Sequence, residues 1–260
     1  MNKVLLDPEL QHVLDEFVTR LQPILGDNLL AVYLQGSFAL GGGDADSDVD
    51  FLVVIEDDLH DTILPELEAM HQSLFEIPSY WSHHLEGSYF PKDILKTEDH
   101  NHTPIVYIDN GSRHLERSTH DNELVVRWVT REHGITLYGT DPKTYIDPVS
   151  EADLKREVKQ TMHTWAQEII NGEYTIANVW AQAFAVIMYC RMLHTITTGA
   201  IHSKPSGVEW AQNTLDEQWH NLIRDAWQKR LNQYKRVADA SNPEDVAQTI
   251  DFIHYALKLA

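Results

Sequence analysis

Apolar residues recur at helical spacing between residues 8 and 24 (Leu10, Val13, Leu14, Phe17, Leu21), and the pattern stops at Pro23, which predicts an amphipathic first helix. The period then shortens. Residues 29–34 and 49–55 are apolar runs of strand length on either side of a glycine-rich stretch, giving strand, turn or helix start, strand. A helix over 65–75, a strand over 106–108 closed by Asp109-Asn110-Gly111, a helix over 123–132 and a short extended segment at 135–139 complete a mixed half. Beyond Asp147-Pro148 only the helical period persists, over 150–171, 175–198, 206–236 and 243–259, with breaks at Gly172, Gly199, Pro205 and Pro243. The pattern therefore predicts an α+β chain in two domains, residues 1–150 with a mixed sheet and helices, and 151–260 as an all-α bundle.

Composition narrows what such a chain does. With 43% hydrophobic residues in 260 it can bury a sizeable core. The start, MNKVLLDPELQHVLDEF, lacks the basic, apolar and small-residue regions of a signal peptide, and no uninterrupted apolar run approaches the roughly 18 residues of a membrane span. A soluble, cytoplasmic protein is expected, with no membrane partner. The single Cys190, set among apolar residues, suits a reducing compartment and a buried structural role. Forty acidic against twenty basic residues, a formal net charge of -20, exclude a broad nucleic-acid-binding face and favour a cationic partner or simple solubility.

The candidate chemistry lies in GSFALGGGDADSDVD, residues 36–50. Side chains alternate along a strand, so Asp48 and Asp50 share one face while Val49 and Phe51 share the other. Two carboxylates so placed repel unless a cation lies between them, and the fitting guest is a hard divalent ion such as Mg2+, bound with phosphate oxygens. A calcium loop needs an acid at its twelfth position and flanking helices, and a Walker loop needs Lys-Ser/Thr after its glycines; neither is present. Asp44 and Asp46 read as solvated residues of the turn.

Gly36-Ser37, followed eleven residues after the Ser by an Asp-x-Asp that opens a strand, resembles the signature of DNA-polymerase-β-type nucleotidyltransferases, and over most of its length the chain is similar to the aminoglycoside 3''-adenylyltransferases. The resemblance implies that Gly36 and Ser37 bind nucleotide phosphate, that Asp48 and Asp50 hold Mg2+ on ATP, and that Glu86, in SHHLEGSYF, is the general base and a third acid at the metal. In THDNELVVRWVTREHGITLYG the family's nucleotide-facing aspartate corresponds to Asn122, which hydrogen-bonds but carries no charge, with Asp121 beside it. In YCRMLHTITTGAIHSKPSGVEWA the positions that reach the triphosphate are Arg191 and Lys204, with a structural carboxylate as the other reading of Arg191.

Before the Arg-bearing helix, where the family has antibiotic-binding carboxylates, EYTIANVWAQAFAVIMYC contains only Glu173, and YIDNGSRHLERSTHDN has no tryptophan to stack on an antibiotic. The expected reaction is transfer of AMP from ATP to a hydroxyl of a small molecule, with a cationic aminoglycoside as the family's acceptor and other hydroxyl compounds left open. The alternative is a non-catalytic nucleotide sensor or interaction protein on the same fold. The histidines at 83, 84, 100, 102, 114, 120 and 133 match no zinc-module spacing, and His114 and His120 are placed to touch substrate.

Overall fold

Helix α1 (Pro8–Leu25) starts where the Asp7 carboxylate accepts from the Glu9 amide at 2.8 Å, with Pro8 in its first turn. It runs two residues past Pro23, because a proline near the end forfeits one hydrogen bond while its fixed φ stays helical. The computed structural model describes residues 6–231 and 233–260. They fall into two compact units, one running to Gly43 and from Ser47 to Val149, the other comprising Asp44–Asp46 and Ser150–Ala260.

The first unit is built on six strands: β1 (Leu29–Leu34), β2 (Val49–Ile55), β3 (Leu85–Pro91), β4 (Ile105–Ile108), β5 (Leu115–Ser118) and β6 (Ile135–Tyr138). Their order is β5-β4-β3-β2-β1-β6, and every pairing is antiparallel except β2 with β3. That parallel pair needs a crossover, which includes helix α3 (Leu64–Phe75). Val49, Phe51, Val53 and Ile55 pack with Leu10, Leu14 and Phe17 of α1 and Leu67 and Leu74 of α3 in one core. Leu52 and Val54 join Ala31, Tyr33, Phe90 and Ile105 in a second core on the opposite face. The mixed sheet with helices expected from the pattern is present.

The second unit contains α6 (Glu151–Asn171), α7 (Val179–Thr198), α8 (Lys204–Thr214), α9 (His220–Lys229), α10 (Gln233–Ala238) and α11 (Pro243–Leu259), numbered after the shorter α2 (Gly36–Ala39), α4 (Lys92–Leu95) and α5 (Leu124–His133). Helices α6 and α7 end at Gly172 and Gly199, the breaks expected. The helix expected over 206–236 is three, α8, α9 and α10; the first break comes where Leu215 leaves the helical region and Asp216 caps a new short turn at Glu217. By length and composition α7 could cross a membrane, but 67% of its most apolar window is buried within the unit. It is the unit's central helix: Gln182 donates to Thr249 Oγ1 of α11 at 2.7 Å and the Tyr189 hydroxyl to Met162 O of α6 at 2.8 Å. Cys190 is fully buried there, and burial pushes its thiol pKa far above the usual range, so it serves packing.

Candidate active site

Parallel pairing of β2 with β3 sets Asp50 directly opposite Glu86. The even-numbered residues of both strands share the second face, since Leu52, Val54 and Phe90 all enter that core. Asp50 and Glu86 therefore lie side by side on that face, with Asp48 two residues earlier on the same side. Tyr107 of β4 pairs with Ser88, which puts the tyrosine on this face as well.

The chain before β2 closes around Asp50. The Gln35 amide donates to Asp50 O at 2.8 Å, and Gly36 has φ +59°. A Cβ at Gly36 would lie 1.9 Å from Asp50 Oδ2, so the bare backbone is what admits the carboxylate. Next to it the Ser37 Oγ is buried and has no hydrogen-bond partner. Among the described residues no three His, Cys, Asp or Glu side chains gather into a metal cage. Two hard carboxylates beside an unsatisfied buried hydroxyl nonetheless suit a divalent cation that takes its remaining ligands from phosphate and water.

Glu86 is engaged elsewhere. The Tyr107 hydroxyl donates to its Oε1 at 2.6 Å, and Asp109 Oδ1 lies 3.2 Å from the same hydroxyl. Burial raises the Glu86 pKa to about 8; the Tyr107 bond opposes the rise, and the charges of Asp50, Asp48 and Asp121 add to it. His120 Nε2 stands 3.6 Å from Glu86 Oε1, its ring tilted on that of Tyr107. Asp121 is buried and accepts from Ser88 Oγ at 2.6 Å; burial raises its pKa, partly offset by that bond and by His120. Asp48 accepts from Asn110 Nδ2, and the Asn110 Oδ1 lies 3.3 Å from His84 Nδ1.

The remaining expected residues lie in other settings. Asn122 is buried and its amide is committed: Nδ2 donates to Asp99 Oδ2 at 2.8 Å and Thr103 O at 3.0 Å, and Oδ1 accepts from Arg127 at 2.7 Å. In the helical unit Arg191 donates to the His202 carbonyl at 2.6 Å, and Lys204, at the start of α8, holds its Nζ 5.3 Å over the Phe184 ring. Asp44, expected to be an idle turn residue, pairs with Arg230 at 2.5 Å. His114 is exposed, 3.3 Å from Glu68.

Tyr107, Asn110 and Asp121 are the residues that pattern reading did not assign to the site. Tyr107 sits in a short apolar run and Asn110 in a turn signal, both ordinary in sequence. The register of β4 on β3 brings Tyr107 to Glu86, and the turn that follows β4 brings Asn110 to Asp48.

Residues 14–96 match the nucleotidyltransferase domain, and residues 144–257 match the aminoglycoside adenylyltransferase C-terminal domain. An aminoglycoside (3'') (9) adenylyltransferase of Shigella flexneri is 26% identical, covering 95% of this chain and 93% of its own. A spectinomycin 9-adenylyltransferase of Staphylococcus aureus is 24% identical over 77% of each. Among solved structures, spectinomycin adenyltransferase AAD(9) from Enterococcus faecialis, crystallised with ATP and spectinomycin, superposes with a TM-score of 0.70 at 17% identity, over 95% of this chain and 98% of its own.

Proposed function

Because the chain belongs to the nucleotidyltransferases that carry an aminoglycoside adenylyltransferase C-terminal domain, we propose that it transfers AMP from ATP to a hydroxyl of a small antibiotic of the aminoglycoside or spectinomycin type. The observation that carries this reading is the register of β2 on β3, which aligns Asp50 with Glu86 on the face that also bears Asp48. Asp48 and Asp50 hold Mg2+, which when bound neutralises charge on the triphosphate. Ser37 donates its otherwise unpartnered hydroxyl to a phosphate oxygen, and Gly36 leaves room for the Asp50 carboxylate beside it. Arg191 and Lys204 of the helical unit are the cations that the family resemblance assigns to the triphosphate.

Glu86 accepts the proton of the acceptor hydroxyl. The oxygen attacks the α-phosphorus in line, the bond from that phosphorus to the bridging oxygen breaks, and pyrophosphate leaves. A base pKa near neutrality fits this step better than an ordinary carboxylate, and burial supplies it. Tyr107 fixes which Glu86 oxygen remains open to substrate. We assign Asn122 to holding Arg127, and Asp121 to the polar wall beside Glu86.

The test is pyrophosphate release by the full chain with ATP, Mg2+ and a panel containing streptomycin and spectinomycin. Release with one acceptor, reduced by about 10^3-fold or more in Asp50→Ala, is expected. ATP binding without release across the panel would favour a nucleotide sensor and defeat the enzyme reading.

A further inference from the structure

Asn110 stands in the turn between β4 and β5, where the Ser112 amide donates to Asp109 O at 2.9 Å and Gly111 takes a φ of +72°. Its amide spans two partners, Asp48 Oδ1 on one side and His84 Nδ1 on the other. An ionised carboxylate only accepts, so the Asn110 NH2 faces Asp48 and its carbonyl faces the imidazole. The His84 Nδ1 then carries the hydrogen.

His84 is itself fixed. It is 6% exposed, Tyr80 lies on its ring at 4.3 Å, and its carbonyl accepts from the Val49 amide at 2.8 Å. The same residue thus anchors the first position of β2 through its backbone and the residue before β2 through its ring. Donors run in one direction, from His84 N–H to Asn110 O and from Asn110 N–H to Asp48 O. Asp48 has two other carboxylates near it, Asp50 and Glu86, and the Asn110 amide donor steadies it among them without adding charge.

We infer that Asn110 is a positioning residue for the metal carboxylate Asp48, with His84 setting the orientation of its amide; the inference rests on the reading of Asp48 as a cation ligand. Groups that orient a ligand carboxylate commonly change metal affinity by about tenfold to about a hundredfold when removed. The role is separate from that of Tyr107, which addresses Glu86.

The test is binding of Mn2+ to the full chain, alone and with α,β-methylene-ATP, followed by the spin resonance of free Mn2+, so that no turnover is needed. Asn110→Ala is expected to weaken Mn2+ binding by about tenfold or more. Asn110→Leu, which refills the volume, should weaken it equally, and thermal melts report whether either variant is folded. His84→Phe keeps a ring beneath Tyr80 but removes the N–H, and should give a smaller loss. Parent-like Mn2+ affinity in Asn110→Leu, alongside a loss in Asp48→Ala, would overturn the positioning role while leaving the metal reading intact. Parent-like affinity in Asp48→Ala would bring down both.

Discussion

At the scale of single residues the site is a set of carboxylates kept close by specific neighbours, and Glu86 is the most constrained. Its pKa lies at about 8, against an ordinary 4.5, so the folded chain holds a proton there that the unfolded chain has released. The sign follows: without metal, folding stability declines as pH rises from about 4.5 to about 8 and is level above that. Melting temperatures of the metal-free chain across this window should show the decline, and Glu86→Gln should flatten it while abolishing transfer. Tyr107→Phe removes the bond that opposes the rise, so the acid limb of the pH–rate profile should move to higher pH. Asn122→Ala should act on stability, by about 1–3 kcal/mol, because it leaves Arg127, 1% exposed, short of an acceptor. The KM for ATP should stay within about twofold of the parent, since the amide is fully engaged within the fold.

At the scale of elements, the β2–β3 pair carries both packing and chemistry. Gly87 lies against Phe51, and a Cβ there would come 2.1 Å from the Phe51 carbonyl oxygen. Gly87→Ala is therefore expected to cost about 3 kcal/mol or more by forcing the strands apart, and to reduce activity with it, measured by denaturant melts and pyrophosphate release. Strand β2 was legible because its apolar run is long and bounded by acids. Strand β5 was not, since Leu115-Glu116-Arg117-Ser118 is an edge with exposed charges and shows no apolar alternation. Likewise α8, α9 and α10 share one continuous helical period, and nothing in that period marks the extended Leu215. The Asp48–Asp50 pair could be read from spacing alone, because both acids fall within one strand's alternation. Tyr107 and Asn110 could not, since Tyr107 is brought there by antiparallel pairing with β3, and Asn110 by the turn that follows the same strand.

At the scale of the whole molecule, the charge of -20 and the split into two units bear on different questions. Excess acid repels itself in the folded chain, and salt screens that repulsion over about 10 Å at 0.1 M. Raising NaCl from low concentration to about 0.5 M should raise the melting temperature by a few degrees, whereas an uncharged osmolarity control should not. Composition also argued against nucleic acid as acceptor, but left the class of small molecule to the relatives. The reason is physical: an acceptor site is assembled from side chains on separate elements, and neither period nor net charge records which ones meet.

Gly36 has a consequence for how this gene can vary. Any single-base change in a glycine codon that alters the residue either adds a Cβ or ends the chain, and here a Cβ falls on the Asp50 carboxylate. No neutral mutational step leads away from this position. Gly36→Ala also makes an unusual control, an inactive protein in which every ionisable group and the net charge are those of the parent.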